Sequence, residues 1–262
     1  TTEVAGGLVS STDPFGDGSL LAKYELNANG NDTTGNYPAT VSGGDFLTDG
    51  NFGKCWDTSG ITGENITANV PFTSNMTYSA WVKKVGAGSY SSGFIIFFTA
   101  SSTNGTALSV QDDGSVHGGS GSVVTAAGVV TDNVWTHICA VSDATNTAIY
   151  VNGISQSVTG TNNWGDTGNN ISIGSSSYIN NTYHNFNGLI DQVEIYDRVL
   201  TPTEVNTLYT QTATKYSADF NTPLATIPTS VYRLDHDNLT IDGTPTATTA
   251  TVLDSRTGLI AS

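Results

Sequence analysis

Short runs of alternating apolar and polar residues recur along most of the chain. A period of two sends successive side chains to opposite faces of a β-strand. Tyr78-Ser79-Ala80-Trp81-Val82 reads as a half-buried strand. Gly93-Phe94-Ile95-Ile96-Phe97-Phe98-Thr99 is a continuous apolar run bounded by small residues, the pattern of a strand covered on both faces. Residues 107–110, 134–141, 148–151, 171–173 and 188–196 add further strands. Turn residues separate them, among them Asp113-Gly114 and Asn152-Gly153. Val151-Asn152-Gly153-Ile154 is the sharpest hairpin signal, because a type I′ turn needs positive φ at both central positions. Many short strands with regular turns predict an all-β chain, an antiparallel jelly-roll β-sandwich.

The period changes once. Thr201-Pro202-Thr203-Glu204 is a capping box with proline at the first helical position. Val205, Leu208 and Tyr209 follow at helical spacing, so a short helix over 202–211 is predicted, its apolar stripe packed on the sandwich. Residues 212–230 are rich in Thr, Ala and Pro and read as a linker or extended arm. Beyond them Val231-Tyr232-Arg233-Leu234-Asp235 resembles residues 22–27, and residues 254–258 resemble 32–35. The tail therefore reads as the opening of a partial second repeat, with chance similarity in Thr/Gly-rich sequence as the alternative. The expected organisation is an N-terminal arm at 1–18, a jelly roll at 19–211 and an extended tail at 212–262.

Composition narrows the partners. Charged residues are 12% of the 262, so the surface must be built from neutral polar groups. Aromatic residues at 9% supply enough apolar area for a core and argue against disorder. Eight Lys and Arg stand against 23 Asp and Glu, a formal charge of −15. Nucleic-acid backbones and anionic membrane surfaces both require clustered cations, and none exist here. No stretch approaches the ~18 consecutive apolar residues of a membrane span. Cys55 and Cys139 lie in apolar runs and read either as two buried thiols or as one bridge between strands.

Five segments resemble, in order, the laminin-G-like domains of the concanavalin A-like lectin/glucanase superfamily. They are Leu-Leu-Ala-Lys-Tyr-Glu-Leu-Asn-Ala-Asn-Gly-Asn-Asp-Thr-Thr-Gly at 20–35, Phe-Gly-Lys-Cys-Trp-Asp at 52–57, Tyr-Ser-Ala-Trp-Val-Lys at 78–83, the stretch from Trp135-Thr136-His137 to Val151-Asn152-Gly153, and 187–201. The opener Asp13-Pro14-Phe15-Gly16-Asp17-Gly18-Ser19 also resembles a lead-in found before such domains in bacteriophage tail and particle proteins. The resemblance implies that Trp56, Trp81, Trp135 and His137 are structural. It also implies that Asp32 approaches Asp191, joining the first and last strands. The turn at 29–36 is rich in oxygen ligands, so a structural calcium ion at Asp32 and Asp191 is expected. The alternative has Asp32 in an Asx turn and Asp191 bonded to backbone amides.

Enzymes of this superfamily set two carboxylates about 5–5.5 Å apart on one strand face. The nearest imitation is Asp191, Glu194 and Asp197, and a spacing of three puts Asp191 and Glu194 on opposite faces of a regular strand. No Gly-x-Ser-x-Gly elbow occurs, and no His or Cys spacing suggests zinc. A non-enzymatic protein is expected.

Two loops have the makeup of a sugar site, with aromatic rings among amides and hydroxyls: 162–166 with Trp164, and 177–185 with Tyr178, Tyr183 and His184. Tyr90 is a third candidate, and Trp164 could instead fold back to cap the core. The reading is a structural and recognition protein of a virus particle, a phage tail fibre, spike or capsid decoration, that binds host-surface glycans. It is expected at the virion surface or outside the cell, oligomeric, with the tail contacting other virion subunits. A secreted bacterial carbohydrate-binding or adhesin module is one alternative, and a purely structural subunit-contact domain another.

Overall fold

The computed structural model describes residues 13–59, 63–88, 92–99, 105–119, 123–161, 168–175 and 184–214, with the strands of the C-terminal segment. In chain order the strands of the first part are β1 Leu20–Tyr24, β2 Thr40–Ser42, β3 Asp45–Gly50, β4 Gly53–Asp57, β5 Asn65–Asn69, β6 Met76–Lys84, β7 Ser92–Thr99 and β8 Thr106–Gln111. There follow β9 Val116–Gly119, β10 Val123–Val124, β11 Trp135–Ser142, β12 Asn146–Val151, β13 Ile154–Thr161, β14 Asn170–Ile173 and β15 Gly188–Tyr196. Helix α1, Pro202–Thr214, comes next, and the tail adds β16 Val231–Asp235, β17 Thr240–Asp242, β18 Thr251–Asp254 and β19 Ile260–Ala261. The chain divides into two compact units, Thr1–Tyr216 and Ser217–Ser262.

The first unit is an antiparallel sandwich with one helix. One sheet of eight strands runs β13-β12-β11-β6-β15-β4-β3, with β1 paired to the far half of β15; the other, of seven, runs β10-β9-β8-β7-β14-β5-β2. Alternation decides which side chains meet between them. Tyr78, Ala80 and Val82 of β6 point inward, as do Ile138 and Ala140 of β11, Leu108 and Val110 of β8, and Ile171 and Ile173 of β14. Trp56, Tyr78 and Phe98 are fully buried in this layer. Each such side chain contributes roughly 1.5–3 kcal/mol of transfer free energy. Trp56 lies under two glycines whose backbones are left-handed: a Cβ on Gly44 would fall 2.1 Å from its Nε1, and one on Gly174 2.4 Å from its Cζ3.

Local signals behave as the sequence directs. Asn152 and Gly153 adopt φ of 49° and 76°, closing the β12–β13 hairpin, and the Asn152 side chain accepts the His137 amide at 2.9 Å. Thr201 Oγ1 accepts the Glu204 amide while the Glu204 carboxylate accepts the Thr201 amide at 2.7 Å, the reciprocal capping box. The helix runs to Thr214, three residues beyond the sequence estimate, because Gln211 to Thr214 contain no Gly or Pro to stop it. Val205 and Leu208 bury against Tyr150, Tyr196 and Leu200 on the outer face of the eight-stranded sheet. Tyr209 stacks on Trp81 at 5.7 Å, and His137 lies beside both rings. Both cysteines are buried free thiols, so the bridge is absent.

Arg198 fastens the entering chain to this face. Its guanidinium binds Asp17 and both oxygens of Glu204 and sits 5.2 Å from the centroid of the Phe15 ring. The second unit is a four-stranded sheet, β17-β16-β18-β19, in which β16 and β18 run parallel. Residues 1–12 and 215–230 lie outside the described residues.

Candidate functional site

The helix, the entering strap and their apolar contacts cover the outer face of the eight-stranded sheet. The outer face of the seven-stranded sheet has a different composition: none of its seven strands carries a charged residue. Because Leu108 and Val110 point into the core, Ser109 and Gln111 point out; likewise His117 beside Val116, and Ser172 between Ile171 and Ile173. On β7 a bulge between Phe94 and Ile96 breaks the alternation. Ile95, Ile96 and Phe98 join the core, and Phe94 and Phe97 stay out of it.

Of these two rings only Phe94 is partly exposed; Phe97, 2% exposed, packs against it. Phe94 stacks on Phe97 with centroids 4.9 Å apart and planes 5° from parallel, and the His184 ring stands 5.0 Å from Phe94. The backbone places His184. The Phe94 amide donates to the His184 carbonyl at 3.0 Å, and Asn185 bridges to Phe94 in parallel, continuing the sheet past the end of β14. His184 Nδ1 lies 3.0 Å from Ser92 Oγ, and the Gln111 amide donates to Ser109 Oγ at 3.3 Å. Burial lowers the pKa of His184, with the Ser92 contact opposing the shift. Burial also lowers His117, and Asp113 opposes it. Phe94, His117 and Gln111 remain partly exposed.

A shallow surface dimple lies at the same end of the sheet, lined in part by Gly86, Gly88, Gly93, Asp112 and Asn187. The Gly88 amide donates to Asp112 and the Asn187 side chain to the Ala87 carbonyl, so the loop after β6 is tied down at its edge. The exposed part of the Phe94 ring, beside the His184 imidazole, hydroxyls and amides, can stack against one face of a sugar ring and hydrogen-bond its edge.

Of the sequence-predicted sugar contacts, His184 sits in this cluster. Trp164, Tyr178 and Tyr183 lie outside the described residues, as does Tyr90. Phe94 is not singled out by the sequence, because its run reads as doubly buried strand; the bulge beside it takes it out of the core.

The expected calcium ligands are held in other ways. The Asp32 carboxylate accepts the amides of Lys23, Thr34, Asn36 and Tyr37 and the Thr34 hydroxyl, an extended Asx turn. Asp191 accepts the Phe52 amide at 3.0 Å and the Gln192 side chain at 3.3 Å. Calcium would have to compete with five donors for the two oxygens of Asp32. Among the described residues, no group of three or more His, Cys, Asp or Glu could hold a metal. This donor set does not fit the ion.

One face assignment is corrected. The register of β15 shifts between Asp191 and Glu194, and Gln192 takes φ of 47°. The extra residue puts Asp191 and Glu194 on the same outer face, where alternation had separated them. They still do not line a cleft. Asp191 is fully buried, and Glu194, 3% exposed, pairs with Lys23 at 2.9 Å and accepts the Tyr196 hydroxyl at 2.8 Å.

The model of one protein family, described as Laminin_G_3 of the concanavalin A-like lectin/glucanases superfamily, matches residues 57–206. No curated protein matches the chain. Among solved structures, domain 4 of an extracellular arabinanase from Geobacillus stearothermophilus, in complex with arabinotriose, is 26% identical; the match covers 73% of this chain and 98% of that domain, with a TM-score of 0.57. The receptor-binding domain of botulinum neurotoxin type G is 20% identical over 74% of this chain and 51% of its own, with a TM-score of 0.56. The binding domain of botulinum neurotoxin DC, in complex with SialylT, is 14% identical over 74% and 52%, with a TM-score of 0.54. The chain spans about half the length of these toxin domains, and at such identities the likeness is one of fold.

Proposed function

The chain belongs to the concanavalin A-like lectin/glucanase superfamily, as a laminin-G-like domain, and from that premise we propose that it is a non-enzymatic carbohydrate-recognition protein. The observation that carries this reading is the Phe94–His184 cluster, in which a partly exposed Phe94 ring, stacked on the buried Phe97, stands beside the imidazole and among neutral polar side chains on the outer face of the seven-stranded sheet. The arabinanase domain, which this chain matches over nearly its whole length, supports it through its bound arabinotriose. Trp164, Tyr178 and Tyr183 belong to the same proposal as further ring contacts, with Tyr178 and Tyr183 in the segment leading to His184. No catalytic role is proposed, since Asp191 and Glu194 are buried against structural partners.

Two settings suit such a domain. The lead-in at 13–19 favours a virus particle, where weak contacts multiplied over many copies give useful avidity, the tail meeting other subunits. The arabinanase likeness favours a secreted module that holds an attached enzyme to its polysaccharide. Recovery of the protein from purified particles supports the first and its absence from them the second.

The site itself is tested by affinity electrophoresis through gels containing soluble polysaccharides. Retardation of the wild type and its loss in Phe94→Ala is expected, a weakening of ~10-fold or more, as for removal of a central aromatic anchor. The circular dichroism spectrum should not change, because Phe94 lies outside the main core. Equal retardation of the two proteins moves the site elsewhere, and a wild type retarded by no glycan ends the proposal.

A further inference from the structure

The position of every cation in the sequence says more about the ligand. From Val85 to Asp197 the chain contains no Lys or Arg, while Asp112, Asp113, Asp132, Asp143, Asp166, Asp191, Glu194 and Asp197 all fall in that stretch. Five of the seven strands of the open sheet, β7 to β10 and β14, lie within it, and the other two, β2 and β5, are uncharged as well. Three cations of the same unit are engaged in ion pairs. Lys84, at the dimple, is ion-paired with Asp132; Lys23 pairs with Glu194; Arg198 is held between Asp17 and Glu204.

Resting on the carbohydrate reading above, the geometry points to uncharged glycans as the ligand class of this face, with acidic glycans excluded by electrostatics. A carboxylate- or sulfate-bearing sugar arriving at Phe94 meets no guanidinium or ammonium to replace its water. It meets Asp112 and Asp113 at the adjoining turn and the field of a −15 protein beyond them. Desolvating an anion without a paired cation is costly, whereas a neutral ring loses only hydrogen bonds that Ser92, Gln111 and the imidazoles can replace. The two histidines do not alter this near neutral pH, since burial favours their uncharged form. Exclusion of this kind is specificity by repulsion, achieved without any contact dedicated to the accepted ligand.

The test uses the full chain and two sets of polymers in affinity electrophoresis, neutral arabinan, galactan and mannan against polygalacturonate and hyaluronan. Retardation by at least one neutral polymer is expected, changing less than ~2-fold between low and high salt, because uncharged contacts are not screened. Retardation by the acidic polymers is expected to be ~10-fold weaker or undetectable at low salt, equivalent to about 1.4 kcal/mol. Val124→Lys supplies a second arm. Val124 is 41% exposed at the outer edge of the same face, paired in register with His117, and lies away from Phe94. The added ammonium should raise retardation by polygalacturonate several-fold and leave the neutral polymer within ~2-fold. Acidic polymers that retard the wild type as strongly as neutral ones overturn the inference while leaving carbohydrate recognition standing. Failure of all five polymers brings down both.

Discussion

At the scale of single residues, two buried titratable groups act on stability in opposite directions. Burial pushes the Asp191 carboxyl up to about 7, its hydrogen bonds from Phe52 and Gln192 notwithstanding, and pushes the His137 imidazole down to about 3. Asp191 has a folded pKa above its unfolded value of 3.8, so its contribution is complete below 3.8 and is lost as pH rises to about 7. His137 must stay neutral beneath Trp81 and Tyr209, so stability falls as pH drops from 6.5 towards about 3. Between about 3.8 and 6.5 the two slopes oppose each other. Asp191→Asn keeps an acceptor for the Phe52 amide and removes one slope. Urea titrations across pH should show a variant equal to wild type near pH 4 and more stable at pH 8, by on the order of a few kcal/mol. No pH-dependent difference would mean that water or a cation reaches the carboxylate. The family resemblance already implied a structural His137; for Asp191 it implied a calcium ligand, and the structure instead shows the backbone-amide alternative, with the Phe52 amide donating to the carboxylate.

At the scale of elements, the helix joins the strand that closes the sandwich to the strap that enters it. Glu204 serves both, accepting the Thr201 amide at the cap and both Arg198 contacts, and these bonds together lower its pKa to about 2. Thr201→Ala removes the hydroxyl half of the box and should cost about 1 kcal/mol. The urea midpoint should fall with an unchanged denaturant slope, and Thr201→Ser should restore it. An unchanged midpoint would show that Arg198 alone holds Glu204 and the first turn. The start of this element was legible from four residues, because a capping box acts through neighbours in sequence, whereas its end at Thr214 was not. The face that Val205 and Leu208 cover was not legible, since it depends on which side of the β11–β6–β15 triplet remains unpaired with the other sheet.

At the scale of the whole molecule, charge is the dominant long-range term. With −15 spread over a surface short of cations, self-repulsion opposes compaction, and salt screens it over ~8–10 Å. Thermal unfolding followed in rising sodium chloride should shift to higher temperature; a fall would mean that the Arg198 and Lys84 pairs outweigh the repulsion. The proposal of uncharged ligands for the seven-stranded sheet rests on the same deficit of cations. Strand periodicity, the Asn-Gly turn, the capping box and the excess of acid are local or additive properties, and the sequence alone determined them: an all-β sandwich with one capped helix and a large excess of acidic over basic residues. Which strand face the helix covers, that Phe94 is partly exposed on the other sheet, that His184 joins it, and that Asp191 and Glu194 share a buried face were decided only by the tertiary structure. A bulge shifts every later side chain by one face, and its place is fixed by how strands distant in sequence pack together.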